Sequence, residues 1–156
     1  MQPTSLNTPQ RSMRKAKTPA RWFAEVEMAV QFFDLDPMQI VWHGNYVKYL
    51  EVARCALLDK IGYNYEQMLE SGYVWPLIEM NLRYAGPAKF GQRLLLRAEI
   101  VEWENRLRID YAILDAGSGK RLNRATTTQV AVDVGSGEMC FVSPAILFQK
   151  LGVPVP

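Results

Sequence analysis

The segment Asp34-Leu35-Asp36-Pro37-Met38-Gln39-Ile40-Val41-Trp42-His43-Gly44-Asn45-Tyr46 gathers two aspartates and the chain's single histidine. It then runs into an amphipathic helical pattern. A carboxylate placed beside a helix start has a defined chemistry. The first amides of a helix have no intrahelical acceptor, and together with the helix dipole they polarise a carbonyl oxygen. The carboxylate then attacks that carbonyl or draws a proton from water. Aspartates flanking a proline also form turns by bonding nearby amides. On residue types alone that structural reading leads for Asp34 and Asp36. His43 either bonds the loop or titrates near neutrality, orienting a substrate or protonating a leaving group.

The surrounding elements must hold these groups in one place. Residues 22–33 alternate in part, with Phe23, Val26, Met28, Val30 and Phe32 against Glu25, Glu27 and Gln31, the pattern of a strand with one wet face. Asp34 and Pro37 should stop it. From Asn45 the period changes. Tyr46, Leu50, Ala53, Leu57, Leu58 and Ile61 recur every three or four positions, predicting a helix of about 17 residues. Lys48, Glu51, Arg54, Asp59 and Lys60 fall on its other sides. Asn45 suits the N-cap and Gly62 the C-terminal stop. A second short helix is expected near 65–71. Strands are expected at 74–84 (broken by Pro76), 93–103, 107–115 and 120–134, and a last helix follows Ser143-Pro144 to Leu151. Strand, long helix, then strands in succession defines an α+β fold, one antiparallel sheet wrapped around a central helix. Such a sheet leaves edges uncovered, so self-association is expected.

Composition narrows the function. The 156 residues suit a single domain, and 49% hydrophobic with 22% charged residues is ordinary for a globular protein. Residues 1–20 carry Arg11, Arg14, Lys15 and Lys17 and no acid, and read as a disordered basic lead-in ahead of a domain spanning 21–156. The other 14 basic residues face 16 acids, which argues against a broad nucleic-acid-binding surface. No run approaches the ~18 apolar residues of a membrane span, and no secretory segment is present, so a cytoplasmic location is expected. Cys55 and Cys140 read as reduced packing residues, and one histidine with two scattered cysteines predicts no metal site.

The run from Asp34 to Tyr46, followed by Tyr49-Leu50-Glu51, resembles the signature of the 4-hydroxybenzoyl-CoA thioesterase family of hotdog-fold proteins. A second stretch, Met80-Asn-Leu-Arg-Tyr84-Ala-Gly-Pro87-Ala88, is similar to that family's strand ending in Tyr-x-x-Pro-Ala. The similarity covers about residues 22–150. The resemblance implies a hotdog fold, a homodimer or homotetramer with sites at the subunit interface, and hydrolysis of an acyl thioester without a cofactor. Asp36 matches the catalytic carboxylate. His43 matches the residue at the helix entrance whose amide or ring faces the thioester. The family's usual glycine is Gln39 here, which restricts access to positive φ in this loop.

A thioester enzyme also needs to hold its carrier. Asn45 and Tyr46 are candidate substrate-binding residues at the helix start, although the Tyr46/Tyr49 pair also reads as core and interface. Lys89 and Arg106 are candidates for an anionic carrier, together with Arg93, Arg108 and Arg124, although each also reads as a solvated strand charge. This sparse basicity leaves acyl-CoA and acyl carrier protein both open. Glu51 is the second-choice base, with a solvated helix charge as its simpler reading. Two alternatives stand beside hydrolysis. One is a hotdog dehydratase or hydratase, disfavoured by the seven-residue Asp36–His43 spacing. The other is a non-catalytic acyl-binding module, to which Gln39 gives some weight.

Overall fold

The computed structural model describes residues 21–156; the basic lead-in lies outside them. Strand β1 (Phe23–Ala29) leads through the Asp34–Asn45 loop into helix α1 (Tyr46–Lys60), then a short helix α2 (Tyr65–Glu70). Strands β2 (Tyr73–Val74), β3 (Leu77–Tyr84), β4 (Arg93–Glu102), β5 (Leu107–Asp115), β6 (Arg121–Gln129) and β7 (Val132–Asp133) follow, and helix α3 (Ala145–Leu151) comes last. Five strands form one antiparallel sheet in the order β1-β4-β5-β6-β3, and β2 pairs with β7 beside it. The expected α+β architecture is therefore observed, with α1 packed across β1 and β4 and touching β5.

Alternation in the strands and the helical stripe meet in one core. Leu94, Leu96, Ala98 and Ile100 of β4 and Leu107, Ile109, Tyr111 and Ile113 of β5 are buried on the sheet face that receives Leu50, Ala53, Leu57 and Leu58 of α1. Each such leucine contributes about 1.5–3 kcal/mol by leaving water. α1 ends where expected, with Gly62 at φ 70° past its last turn.

Two boundaries and one burial differ from the sequence expectation. β1 stops at Ala29 because the Gln31 amide donates to Asp34 Oδ2 (3.0 Å), folding residues 32–34 into a 3-10 turn. The strand expected over 120–134 is split. After Gln129 the chain turns toward the Pro76 segment, with Val130 N–H donating to the Pro76 carbonyl, and β7 pairs with β2 instead. Arg54, expected on a wet side of α1, is 6% exposed, its guanidinium held by Glu51 and by the Tyr65 hydroxyl (2.7 Å).

Candidate active site

The loop between β1 and α1 is a tight hairpin. Leu35 bridges Val41, the Asp36 amide donates to the Ile40 carbonyl, and the Gln39 amide donates to the Asp36 carbonyl, both at 2.9 Å. Asp at the first position of this β-turn and Pro at the second are the residue types it favours. Gln39, at the fourth, adopts φ 62°, the sole positive φ of a non-glycine among the described residues. The turn geometry therefore persists without the glycine, and the restriction expected of Gln39 appears as local strain rather than a changed loop. A left-handed conformation costs a side-chain-bearing residue about 1–2 kcal/mol, partly offset by the backbone entropy that glycine loses on folding. Gln39→Gly should thus raise stability by about 0.5–1 kcal/mol in denaturant unfolding; a lower midpoint would show that the Gln39 side chain itself holds the loop.

The two aspartates separate cleanly. Asp34 is 6% exposed, and its Oδ2 accepts from the Gln31 amide and from the Tyr49 hydroxyl (2.9 Å). Burial, and then the bond to Asp34, raise the Tyr49 phenol above its usual pKa. The Asp34 carbonyl accepts from the Trp42 amide (3.0 Å) and from the Asn45 side chain (2.8 Å), tying the loop to the helix entrance. Asp36 instead is half-buried. Its Oδ1 accepts from the Met38 amide at 2.8 Å, which fixes the carboxylate, and its Oδ2 has no partner among the described residues. Asp36 lines a cavity of about 430 Å³ with Met38, Ile40, Val41, His43, Tyr46 and the segment Tyr84-Ala85-Gly86-Pro87.

The same cavity is lined by His43 and Tyr46 at the entrance of α1. A 3-10 turn, His43–Asn45, precedes it, and the first helical bond runs from the Asn45 amide to the Trp42 carbonyl (2.8 Å). The amides of His43 and Gly44, ahead of that bond, have no acceptor among the described residues. A Cβ at Gly44 would overlap the Trp42 indole, which lies across it and would have to swing further into solvent to make room. The Tyr84 hydroxyl donates to the His43 carbonyl at 2.8 Å, and its ring meets Tyr46 edge-on at 5.4 Å.

The residues singled out in the sequence do not all meet at the cavity. Asp36, His43 and Tyr46 share the cavity wall. Lys89 is exposed two residues beyond Pro87 and pairs with Ile40 through the backbone. Asn45 is buried behind the wall; it occupies the N-cap position of α1 without a side-chain cap, its amide being spent on the Asp34 carbonyl. Arg106 lies apart on the β4–β5 hairpin, bonded to Glu102 at 2.9 Å. Glu51 is engaged by Arg54 and does not line the cavity. Trp42 and Tyr84 were not singled out as site residues. Tyr84 was visible as part of the second motif, but its partner lies 41 residues away in sequence.

Residues 30–150 match the model of the thioesterase-like superfamily, and the chain belongs to that superfamily. It is 27% identical over 107 residues to a Bacillus subtilis protein provisionally named an acyl-CoA thioesterase, covering 69% of this chain and 78% of that one. It is 28% identical over 78 residues to an acyl-acyl carrier protein thioesterase of Arabidopsis thaliana, covering 50% of this chain and 41% of the relative. Among solved structures, the 1,4-dihydroxy-2-naphthoyl-CoA thioesterase of Synechocystis shares the hotdog fold at a TM-score of 0.74 and 22% identity, over 83% of this chain and 96% of that one. A mutant 4-hydroxybenzoyl CoA thioesterase complexed with 4-hydroxybenzoyl CoA is similar at a TM-score of 0.72 and 20% identity, over 83% and 99%. Among the described residues, no helix is long and apolar enough to cross a membrane.

Proposed function

We propose that this protein hydrolyses acyl-CoA or acyl carrier protein thioesters, with Asp36 as the reacting carboxylate and the His43 and Gly44 amides polarising the thioester carbonyl. One observation carries the reading: Asp36, whose Oδ2 has no partner among the described residues, lines the same cavity as His43 and Tyr46 at the helix entrance. A thioester is already activated, so the enzyme needs chiefly a positioned nucleophile or base and donors for the developing oxyanion. In the nucleophilic route Asp36 Oδ2 bonds to the acyl carbon, the carbon–sulfur bond breaks, and the thiolate leaves to take a proton. Water then cleaves the mixed anhydride. In the general-base route Asp36 takes a proton from the water that attacks. His43, exposed at the rim, is placed to orient the substrate or to protonate the thiolate.

Lys89, close to the cavity in sequence and pairing, is the proposed contact for the anionic carrier; Tyr46 shapes the inner wall and Asn45 supports it from behind, while Arg106, apart from the cavity within one chain, would join the site only from a second copy. β3 is an edge strand of the sheet, and Leu77 and Ile78 on it are exposed, which supports assembly as a homodimer or homotetramer. We place the enzyme in the cytoplasm. The test is free-thiol release from a panel of aryl-CoA, fatty-acyl-CoA and acyl carrier protein thioesters. Turnover of at least one class is expected. No thiol from any of them would contradict the reading and favour an acyl-binding module.

A further inference from the structure

We propose that Tyr84 is the positioning residue for the Gly44 amide, so that a strand residue sets the geometry and strength of a donor on the helix entrance. The inference rests on the proposed hydrolysis and deepens it. The His43 carbonyl and the Gly44 N–H belong to a single peptide unit. The Tyr84 hydroxyl donates to that carbonyl at 2.8 Å, and no acceptor among the described residues occupies the N–H at the other end. The Asn45 amide that follows is spent on the Trp42 carbonyl and the His43 amide before it is also open, so the Gly44 N–H is the last open donor of the turn and the one whose peptide carbonyl Tyr84 holds.

Two contacts bear on the unit, and a third steadies Tyr84. Tyr84 holds the peptide oxygen. The half-exposed Trp42 indole lies over the Gly44 Cα, in space that a Cβ would enter only by displacing the ring. The Tyr84 ring is itself fixed edge-on against Tyr46, which is 2% exposed and packed in the core. A peptide held in this way has little freedom to rotate its N–H off target. A hydrogen bond at the carbonyl end also polarises the amide and strengthens its N–H as a donor, by roughly 10–30% per bond in a chain of such bonds. The chain runs from the tyrosine O–H through the peptide to the substrate carbonyl oxygen. Its last link tightens as negative charge develops there, so its benefit falls in the transition state and not in ground-state binding.

Tyr84 also lines the cavity, so a bulk substitution would confuse two roles. Tyr84→Phe keeps the ring, the contact to Tyr46 and the wall, and deletes only the donor. Since losing a whole oxyanion donor lowers kcat by about 10²–10³, loosening one should lower it by roughly tenfold, with KM within about twofold. In the same variant the Gly44 amide proton resonance should move upfield, because a less polarised amide is less deshielded. Tyr84→Ala, which removes the wall as well, should raise KM in addition. An unchanged kcat in Tyr84→Phe, a loss expressed through KM, or a kcat loss with a stationary Gly44 resonance would each overturn the proposal. Wild type and Asp36→Asn are run beside it. If wild type turns over, Asp36→Asn does not, and Tyr84→Phe is silent, only the Tyr84 role falls. If wild type cleaves no thioester, both readings fall together.

Discussion

Asp36→Asn is expected to lower kcat by at least about 10²-fold on any thioester the wild type cleaves, since a positioned acid–base group contributes about 10²–10⁴. The amide is neither a nucleophile nor a base, yet it nearly matches the carboxylate in shape. Its side-chain oxygen can still accept from the Met38 amide, which is the side-chain bond that Asp36 makes in the folded chain. Asp36 is only half-buried and takes no part in the core, so stability should change by less than about 0.5 kcal/mol. KM should stay nearly constant, because the missing interaction belongs to the reacting state. Parallel steady-state kinetics and thermal unfolding check both halves. A variant that is inactive because it is unfolded would not support the assignment.

Asp34→Ala should do the reverse, costing stability first. Two residues from Asp36, this carboxylate faces inward and accepts from the Gln31 amide and the Tyr49 hydroxyl. Removing it leaves the Tyr49 hydroxyl, on a residue 3% exposed, without its partner. A buried orphan of this kind costs about 1–3 kcal/mol, and the charge-assisted bond to Gln31 adds to that. We expect a loss of about 2–4 kcal/mol in chemical denaturation. Asp34→Asn, which retains an acceptor oxygen, should lose about half as much. The backbone bonds from Trp42 and Asn45 to the Asp34 carbonyl survive both substitutions, so folded protein should retain measurable turnover. A variant with full stability and no activity would exchange the roles assigned to the two aspartates.

The features legible in the sequence were those set by local rules. The three- and four-residue spacing from Tyr46 to Leu58 defined α1, and Gly62 marked its end. Alternation defined β4 and β5 almost to the residue. Asp36-Pro37 announced the turn that carries the carboxylate. What escaped was set by particular side-chain and backbone contacts, some of them distant in the chain, that periodicity does not encode. Helical periodicity put Arg54 on a flank, because nothing local says that Glu51 and Tyr65 enclose its guanidinium. Alternation ran β1 into Phe32 and Phe33, because it carries no information about an Asp34 side chain that bends the backbone. Gln39 looked unsuited to a positive φ, but the bonds from the Asp36 and Gln39 amides close the hairpin strongly enough to hold it there. Tyr84 showed as a motif residue, while its bond to the His43 carbonyl exists only after β3 crosses to the far edge of the sheet.

The most direct measurement is single-turnover thiol release, with enzyme in excess over an acyl-CoA that the wild type hydrolyses. It isolates the chemical step from product release. The account predicts that Asp36→Asn slows this step by about 10²-fold or more while binding the same substrate with unchanged affinity. A rate within tenfold of wild type would contradict it, and would show that the bond to sulfur breaks without the Asp36 carboxylate.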